Sequence, residues 1–509
     1  MREQLESLML ALAVGATVTI GAKRAGLPYN VMLVVVGLLA VLLDVLPSAP
    51  LDPNLVLLVF LPMLVFEASL FADAAHLASV KRPIIALSLP GVALSLLATG
   101  AIATYILDLP FAVALLLGAL LAITDTVSVL LAFRSVRVPR RLEAIMEGES
   151  LFNDGTALVL VSLCATVVAT GHLGLTATAR SLVVAIVGGG LLGAAFGAIG
   201  ATVLRRTPDH LTAILASVVL VFGTSLLAER VHASPVIAVV VAGLWVGQAA
   251  RTALGPSRVM ALQGFWETCG FAINVLLFLL VGMQIQAERL VSEAGPIALA
   301  LVALHLGRAV AVYGSFALLR VIFREKIPTT WQHVMMLGNI KGSLSMAAVL
   351  ALPLDLPYRE RLVTIVFGVT FMTLVTQGLP FGKYLRWLGV TLSAANVHVD
   401  RAKAELISAK RGQLDLDGLL NTGLISRKDH ADRRAYFQRL VIEAEKILRA
   451  EGDGLTHRRE VDAALLAGRK TALRDAAQRG LVDAAVADEE IGELDRQLLE
   501  LHHASETPS

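Results

Sequence analysis

Five ionisable side chains lie inside long apolar stretches of this sequence, where a charge is costly and usually serves a function. The five are Glu67, Asp125, Asp154, Arg308 and Lys341. Carboxylate oxygens bind hard cations, and the two bases can act as counter-charges for the acids. Three acids against two bases is therefore the balance that we expect of a cation-binding site.

The most informative motif is Glu-Ser-Leu-Phe-Asn-Asp at 149–154. Ser150 and Asp154 are four residues apart, so a helix places their hydroxyl and carboxylate on one face. Glu149 and Asn153 share the neighbouring face. Acids also favour the first turn of a helix, which would explain Glu149 without a functional role. Asp154 lies a full turn further into the apolar run, so we expect it to act in the site.

Two polar interruptions predict helices that unwind inside the membrane. The first is Thr-Asp-Thr at 124–126, and the second is Gly-Asn-Ile-Lys-Gly-Ser at 338–343. The carbonyls and hydroxyls freed at such breaks can coordinate ions. Lys341 would either offset the partial negative charge of facing helix C-termini or extend to the membrane interface.

The remaining buried ionisable residues have less specific surroundings. Glu67, in Phe-Glu-Ala at 66–68, would either attract cations or stay protonated. Arg308 keeps its charge and so needs a buried anion, for which we nominate Glu149. His305 is predicted to be a packed helix residue rather than a ligand.

Membrane-spanning helices are needed to hold these residues. The chain of 509 residues is 56% hydrophobic and 17% charged, with a mean hydropathy of +0.73. Thirteen windows are long enough to cross a hydrocarbon layer of ~30 Å. They lie near 7–22, 30–47, 54–71, 83–107, 110–134, 150–170, 179–204, 211–228, 234–250, 264–286, 296–323, 331–353 and 361–388.

The distribution of charge predicts both the domains and the orientation. Residues 391–509 hold 39 of the 84 charged residues, so we predict a transmembrane domain over 1–390 and a cytoplasmic helical domain over 391–509. Loops on one side of the thirteen spans carry fifteen Lys and Arg residues, against six on the other. Because such residues accumulate in the cytoplasm, the N-terminus is expected outside and the C-terminus inside.

The two interrupted spans, the fifth and the twelfth, are seven spans apart. An odd offset inverts the direction of crossing, so spans 1–6 and 8–13 are predicted to form inverted repeats around a central site. The fold class is therefore an all-α membrane protein with two broken helices.

The C-terminal domain has helical periodicity, for example at Phe437, Leu440 and Val441. Gly452 and Gly454 interrupt it, and 455–505 resembles a further amphipathic helix. We interpret the domain as a small helical bundle that supports dimer contact or stability. A ligand or pH sensor and a disordered tail are the alternatives.

Several classes of protein do not fit this sequence. Two cysteines exclude a disulfide scaffold, and a net charge of +2 without a basic stripe excludes a nucleic-acid partner. An intramembrane aspartyl protease expects Tyr-Asp and Gly-x-Gly-Asp motifs, whereas Asp125 follows Thr124 and Asp154 follows Asn153. A zinc enzyme expects His-Glu-x-x-His, which does not occur. We therefore expect a transporter without a cofactor, and a cation channel is the weaker alternative.

Five segments, taken in order, resemble the monovalent cation:proton antiporters of the NhaP/NHE type. They are the Phe-Glu-Ala run, the Thr-Asp pair, the motif at 149–154, the Arg308 span and the Gly-Ser region around Lys341. With the thirteen spans, the resemblance covers about residues 8–388. Two positions depart from the family, since Thr126 replaces a proline and Lys341 replaces an arginine.

The resemblance implies a role for each residue of the motifs. Asp154 would be the carboxylate shared by cation and proton, with Ser150 and the Thr124 carbonyl as further Na⁺ ligands. Asp125 and Asn153 would support the site. It also implies that Glu149 pairs with Arg308. We expect a homodimer in the cell membrane.

The expected mechanism is competition at one buried carboxylate. Burial disfavours the charged form of Asp154, so it would hold either a proton or a cation. Alternating access would then carry the two in opposite directions. Exchange of Na⁺ for H⁺ is the leading prediction, one for one, with K⁺ or Li⁺ as the alternative cargo.

Overall fold

The computed structural model describes residues 2–43, 53–171, 175–207, 209–285, 287–391, 394–451 and 489–494, and a few further positions between 466 and 497. All regular secondary structure in these residues is helical. The chain divides into two compact units, Met1–Thr391 and Leu392–Ser509.

The helices of the first unit are numbered α1 to α18. In chain order they are α1 Arg2–Arg24, α2 Tyr29–Leu42, α3 53–71, α4 Ala74–Ser79, α5 Lys81–Ile106, α6 Phe111–Ala122, α7 Thr126–Ser135, α8 Arg140–Thr170, α9 Leu175–Arg206, α10 His210–Arg230, α11 Pro235–Ala253, α12 Pro256–Gln284, α13 Ala287–Ser292, α14 Ala294–Phe323, α15 Thr329–Leu337, α16 Ser343–Leu350, α17 Arg359–Gly378 and α18 Phe381–Trp387. Each of the thirteen predicted windows coincides with one of these helices or with two consecutive ones. Among the described residues, eight helices are long and apolar enough to cross a membrane by themselves. The protein is therefore an all-α, multi-pass membrane protein.

Helix α8 begins ten residues before the predicted window. Pro139 precedes its first residue, Arg140, and Leu142 and Ile145 are buried, so the polar approach to the window is an amphipathic helix. Glu149 consequently lies more than two turns inside α8. The interpretation of Glu149 as an acid at a helix start is wrong.

Three prolines inside the spans coincide with widened helical turns. The π turns are Val56–Phe60 in α3, Leu87–Gly91 in α5 and Leu374–Gly378 in α17. Pro62, Pro90 and Pro380 lie within or just after them. A proline donates no hydrogen bond and clashes with the carbonyl four residues earlier, and a wider turn relieves both problems.

The helices of the first unit pack as two groups. In one group α5 packs against α6 and α14, α8 against α6, and α17 against α14 and α16. In the other, α2 packs against α1 and α12, and α11 packs against α3, α9 and α10. Helix α8 also contacts α9 and α11, so it lies at the boundary. Both interrupted helices belong to the first group.

In the second unit, α19 (Ala394–Asn421) packs against α20 (Arg427–Glu451). Gly412 of α19 lies under the ring of Phe437, where an added Cβ would come within 2.6 Å of a ring carbon. Asp417 of α19 accepts hydrogen bonds from His430 and Arg434 of α20. Gly452 and Gly454 lie outside the described residues, as does most of 455–505.

Helices α2 and α12 cross at a pair of glycines. A Cβ added to Gly282 would lie 2.2 Å from the carbonyl oxygen of Val34, and one added to Gly37 would lie 2.3 Å from that of Leu279. Neither neighbour is a flexible side chain. The crossing distance therefore depends on both glycines.

We expect Gly282→Ala to destabilise the protein by about 1–3 kcal/mol, because the helices must separate to admit the methyl group. The measurement is the midpoint of thermal unfolding in detergent. Gly223→Ala is the matched control, because a Cβ there meets no atom within 4 Å. Equal midpoints for the two variants would show that the crossing is not tight.

Candidate cation site

The two interrupted helices meet at their breaks. Helix α6 ends at Ala122 and α7 begins at Thr126, while α15 ends at Leu337 and α16 begins at Ser343. The backbone N–H of Asp125 donates to the carbonyl of Ile340 over 2.8 Å, which joins the two breaks directly. The Thr126 side chain lies outside the described ones.

Glycine at position 342 allows this close approach. A Cβ added to Gly342 would lie 2.7 Å from the Cβ of Asp125 and 2.9 Å from its carboxyl carbon. Neither atom is the far end of a flexible side chain. A residue larger than glycine would therefore push the two breaks apart.

Lys341 compensates the carbonyls freed at the first break. Its Nζ donates to the Ile123 carbonyl over 3.0 Å and to Asn339 Oδ1 over 2.7 Å, and its backbone N–H donates to Thr373 Oγ1 over 3.1 Å. The side chain is 0% exposed. This geometry disagrees with a lysine that extends to the membrane interface. It favours a lysine that offsets the partial negative charge at the C-terminus of a helix.

Asn153 of α8 forms hydrogen bonds to the first break. Its amide donates to the carbonyl of Ala122 and to the hydroxyl of Thr124, each over 3.1 Å. The next residue, Asp154, has one carboxylate oxygen, Oδ1, that is buried and makes no hydrogen bond within the described structure. Ser150, one turn earlier on the same face, is buried as well.

Asp125 is held by a chain of polar side chains. Ser128 donates to Asp125 Oδ2, and Asn30 of α2 donates to the Ser128 hydroxyl. All three residues are buried. The chain thus links the first break to the other helix group, and one oxygen of Asp125 already has a partner.

Glu149 and Arg308 form a two-pronged ion pair between α8 and α14. Arg308 Nη1 donates to Glu149 Oε1 over 2.5 Å, and Nη2 donates to Oε2 over 3.0 Å. Nη2 also donates to the carbonyl of Met335 over 3.1 Å. Both side chains are buried, so the pair fixes the first half of the broken helix α15–α16 against α8.

The two remaining residues of the sequence hypothesis lie elsewhere. Glu67 is half-buried on α3, where its carboxyl group lies against Gly270 of α12. His305 hydrogen-bonds the Leu301 carbonyl in its own helix and Gln377 of α17. His305 is therefore a packed, hydrogen-bonded helix residue.

Sequence reasoning gave no role of their own to four buried polar residues around the breaks. They are Asn30, Ser128, Asn339 and Thr373. One signal was available for the thirteenth window, where Thr370, Thr373 and Gln377 recur on one helical face. Asn30 is an isolated asparagine near the start of an apolar run, and its sequence context does not reveal its partner.

We expect Arg308→Ala to cost about 3–5 kcal/mol of stability, because it strands the Glu149 carboxylate in a buried position. The midpoint of thermal unfolding in detergent measures this loss. The double variant Glu149→Gln/Arg308→Gln keeps two neutral hydrogen-bonding groups and should recover part of it. If Arg308→Ala keeps the full wild-type midpoint, the pair does not stabilise the protein.

Comparison with known proteins identifies the family. The family model of the transmembrane sodium/hydrogen exchangers matches residues 8–387. The Na⁺/H⁺ antiporter NhaS2 of Synechocystis is 36% identical, over 97% of this chain and 93% of its own length. The Na⁺/H⁺ antiporter ApNhaP of Aphanothece halophytica is 34% identical over 81% of this chain and 80% of its own length.

A solved structure shares the fold. The sodium proton antiporter MjNhaP1 of Methanocaldococcus jannaschii, at pH 8, superposes with a TM-score of 0.66 and 20% identity. The match covers 76% of this chain and 98% of that one. The resemblance inferred from the motifs is confirmed: this chain belongs to the sodium/hydrogen exchanger family.

Proposed function

We propose that this protein exchanges Na⁺ for H⁺ across a membrane, with both ions competing for Asp154. The observation that carries the proposal is the buried Oδ1 of Asp154, which lies beside the crossing of the two broken helices without a hydrogen-bond partner in the described structure. Its neighbour Asn153 binds the first break directly. The family description names sodium, so exchange of K⁺ and a cation channel are both less favoured.

We infer that Na⁺ is bound by Asp154, Ser150 and Thr124. Ser150 and Asp154 are one turn apart on α8, and Thr124 lies in the break that Asn153 holds beside them. Carboxylate, hydroxyl and carbonyl oxygens can replace the hydration shell of a hard cation. The Asn153 amide supports this geometry because it fixes the Ala122 carbonyl and the Thr124 hydroxyl.

The other charged groups would tune the site rather than bind the ion. Asp125, Lys341 and Glu149 are ionisable groups that interact electrostatically with Asp154. Asp125 accepts a hydrogen bond from Ser128, and Glu149 is paired with Arg308. Asp154 is therefore the acid of the cluster that is least committed to a protein partner. Glu67, on α3, would attract cations toward the boundary of the two helix groups.

Alternating access would follow from motion of one helix group against the other. The group with α5, α6, α8 and α14 contains both breaks and Asp154, whereas α3, α9, α11 and α12 form the opposite wall. Such a motion would expose Asp154 to the two sides of the membrane in turn. A proton released on one side would leave the carboxylate free to take up Na⁺ there.

We further infer thirteen spans with inverted repeats, an external N-terminus and a cytoplasmic helical domain over 391–509. The alternation of Lys and Arg between loops supports the orientation. A location in the cell membrane and a homodimer are further expectations of the family resemblance. Cysteine labelling of loop residues from each side tests the orientation, and the mass of the purified protein tests the dimer.

The first functional prediction is that Asp154→Asn abolishes exchange while the protein still folds. The change removes the titratable group on the Ser150 face but keeps the shape of the side chain. Sodium-driven proton flux in proteoliposomes with an internal pH dye measures the effect. The matched control is Asp355→Asn, an exposed carboxylate between α16 and α17. Proton flux near the wild-type rate in Asp154→Asn would refute the assignment.

The second functional prediction is electroneutral exchange, one cation for one proton. Asparagine at position 153 leaves Asp154 as the titratable member of the adjacent pair, and one oxygen of Asp125 already accepts a hydrogen bond from Ser128. Lys341 donates to Ile123 and Asn339, so its amine serves the break rather than the transport cycle. No net charge should cross in one cycle.

The test imposes membrane potentials of opposite sign with K⁺ and valinomycin under a fixed Na⁺ gradient. Proton flux should be the same at both potentials, because a one-for-one exchanger moves no net charge. Asp355→Asn serves again as the control for changes in reconstitution. A flux that rises or falls with the sign of the potential would overturn the prediction and point to Lys341 as a second proton carrier.

A further inference from the structure

A large apolar cavity lies between the two helix groups, away from the ion-binding face of α8. Its volume is about 460 Å³, within the range of sites that hold a small organic molecule. The apolar side chains that define its walls are Leu77, Ile84, Phe152, Ile186, Ile237 and Val241. Helices α4, α5 and α8 form one side, and α9 and α11 form the other.

The cavity opens on the outer surface of the helix bundle. Ile85, at its edge, is 53% exposed, and its helix α5 is long and apolar enough to cross a membrane. Gly190 of α9 also lines the cavity, and a Cβ added there meets no atom within 4 Å. An apolar chain can therefore enter from the bilayer.

One end of the cavity carries a positive charge. Lys81, the first residue of α5, lines the cavity and is exposed, and no described salt bridge holds its amine. The adjacent Arg82 has its guanidinium 5.1 Å from the ring centre of Phe323. The cavity thus combines an apolar interior with a cationic rim, which is the complement of an acyl chain that ends in an anionic headgroup.

We propose that this cavity binds one acyl chain of an anionic phospholipid, taken from the leaflet that borders α4, with the headgroup phosphate at Lys81. The chain would lie against both helix groups at once. If the groups move as the proposed function requires, the lipid resists that motion and lowers the rate of exchange. Only this last consequence rests on the proposed function.

Native mass spectrometry of the full-length protein tests the binding without any transport. The probes are phosphatidylglycerol and phosphatidylcholine with matched chains. The wild type should retain phosphatidylglycerol preferentially. Lys81→Gln should lower that retention about fivefold, as expected for one basic residue at an anionic headgroup. Gly190→Leu should fill the cavity and lower it roughly tenfold or more, because several methylene groups lose their contacts.

Matched control variants separate this site from the rest of the lipid-facing surface. Gly223→Leu adds the same side chain at another glycine with open space, and Lys383→Gln removes another exposed lysine. Both should retain phosphatidylglycerol as the wild type does. Equal loss in a control and its partner variant, or equal retention of the two lipids by the wild type, would overturn the proposal. Retention of free oleate in place of phosphatidylglycerol would also overturn it.

Transport in vesicles then tests the consequence. Exchange by the wild type should be slower in vesicles with phosphatidylglycerol than in vesicles of phosphatidylcholine alone, and Gly190→Leu should lose this dependence. Absence of exchange in all vesicles would contradict the proposed function and leave the binding result intact. Lipid-independent exchange together with selective binding would overturn the regulatory consequence.

Discussion

The backbone groups exposed by two broken helices are the constraint on which the rest of the site depends. Inside a membrane no water satisfies the carbonyls and amides that an interrupted helix leaves open, so protein groups must do so. The Asp125 amide binds the Ile340 carbonyl, and the Lys341 amine binds the Ile123 carbonyl. Each break thereby satisfies the other. A buried lysine is the consequence, because the end of α6 carries partial negative charge and lies out of reach of solvent.

The contacts that fix the broken helices also determine which acidic side chain remains available to bind an ion. Arg308 neutralises Glu149 and, through the Met335 carbonyl, fixes the end of α15. Ser128 occupies one oxygen of Asp125 and is itself held by Asn30. Two of the acids are thus tied to structure. Asp154, adjacent to the asparagine that holds the first break, keeps an oxygen without a protein donor in the described structure.

Sequence reasoning predicted the elements whose cause is local. Both breaks were predicted from short polar runs inside apolar windows. The pairing of Arg308 with Glu149 was predicted because a buried arginine keeps its positive charge and therefore needs a buried anion. The contact of Asn30 with Ser128 is different, because it joins residues 98 positions apart and depends on where the tertiary fold places α2 relative to α7. The start of α8 at Arg140 was missed for another reason. Hydropathy detects the lipid-facing part of a helix and not its amphipathic extension beyond the membrane.

Helix α8 connects the proposed ion site with the apolar cavity. Ser150 and Asp154 occupy one face, whereas Phe152 and Thr156 follow them by two residues each, which is about 200° around the helix axis. The first pair lies toward the breaks, and the second pair lines the apolar cavity.

Between the helix groups, Gly155 of α8 lies so close to Ile237 that an added Cβ would come within 2.5 Å of it. At this contact α8 presents a glycine without a side chain, so α8 and α11 can slide past each other more easily than two helices with interlocked side chains. A molecule in the cavity would therefore act at this boundary between the helix groups, on the same helix that carries Asp154.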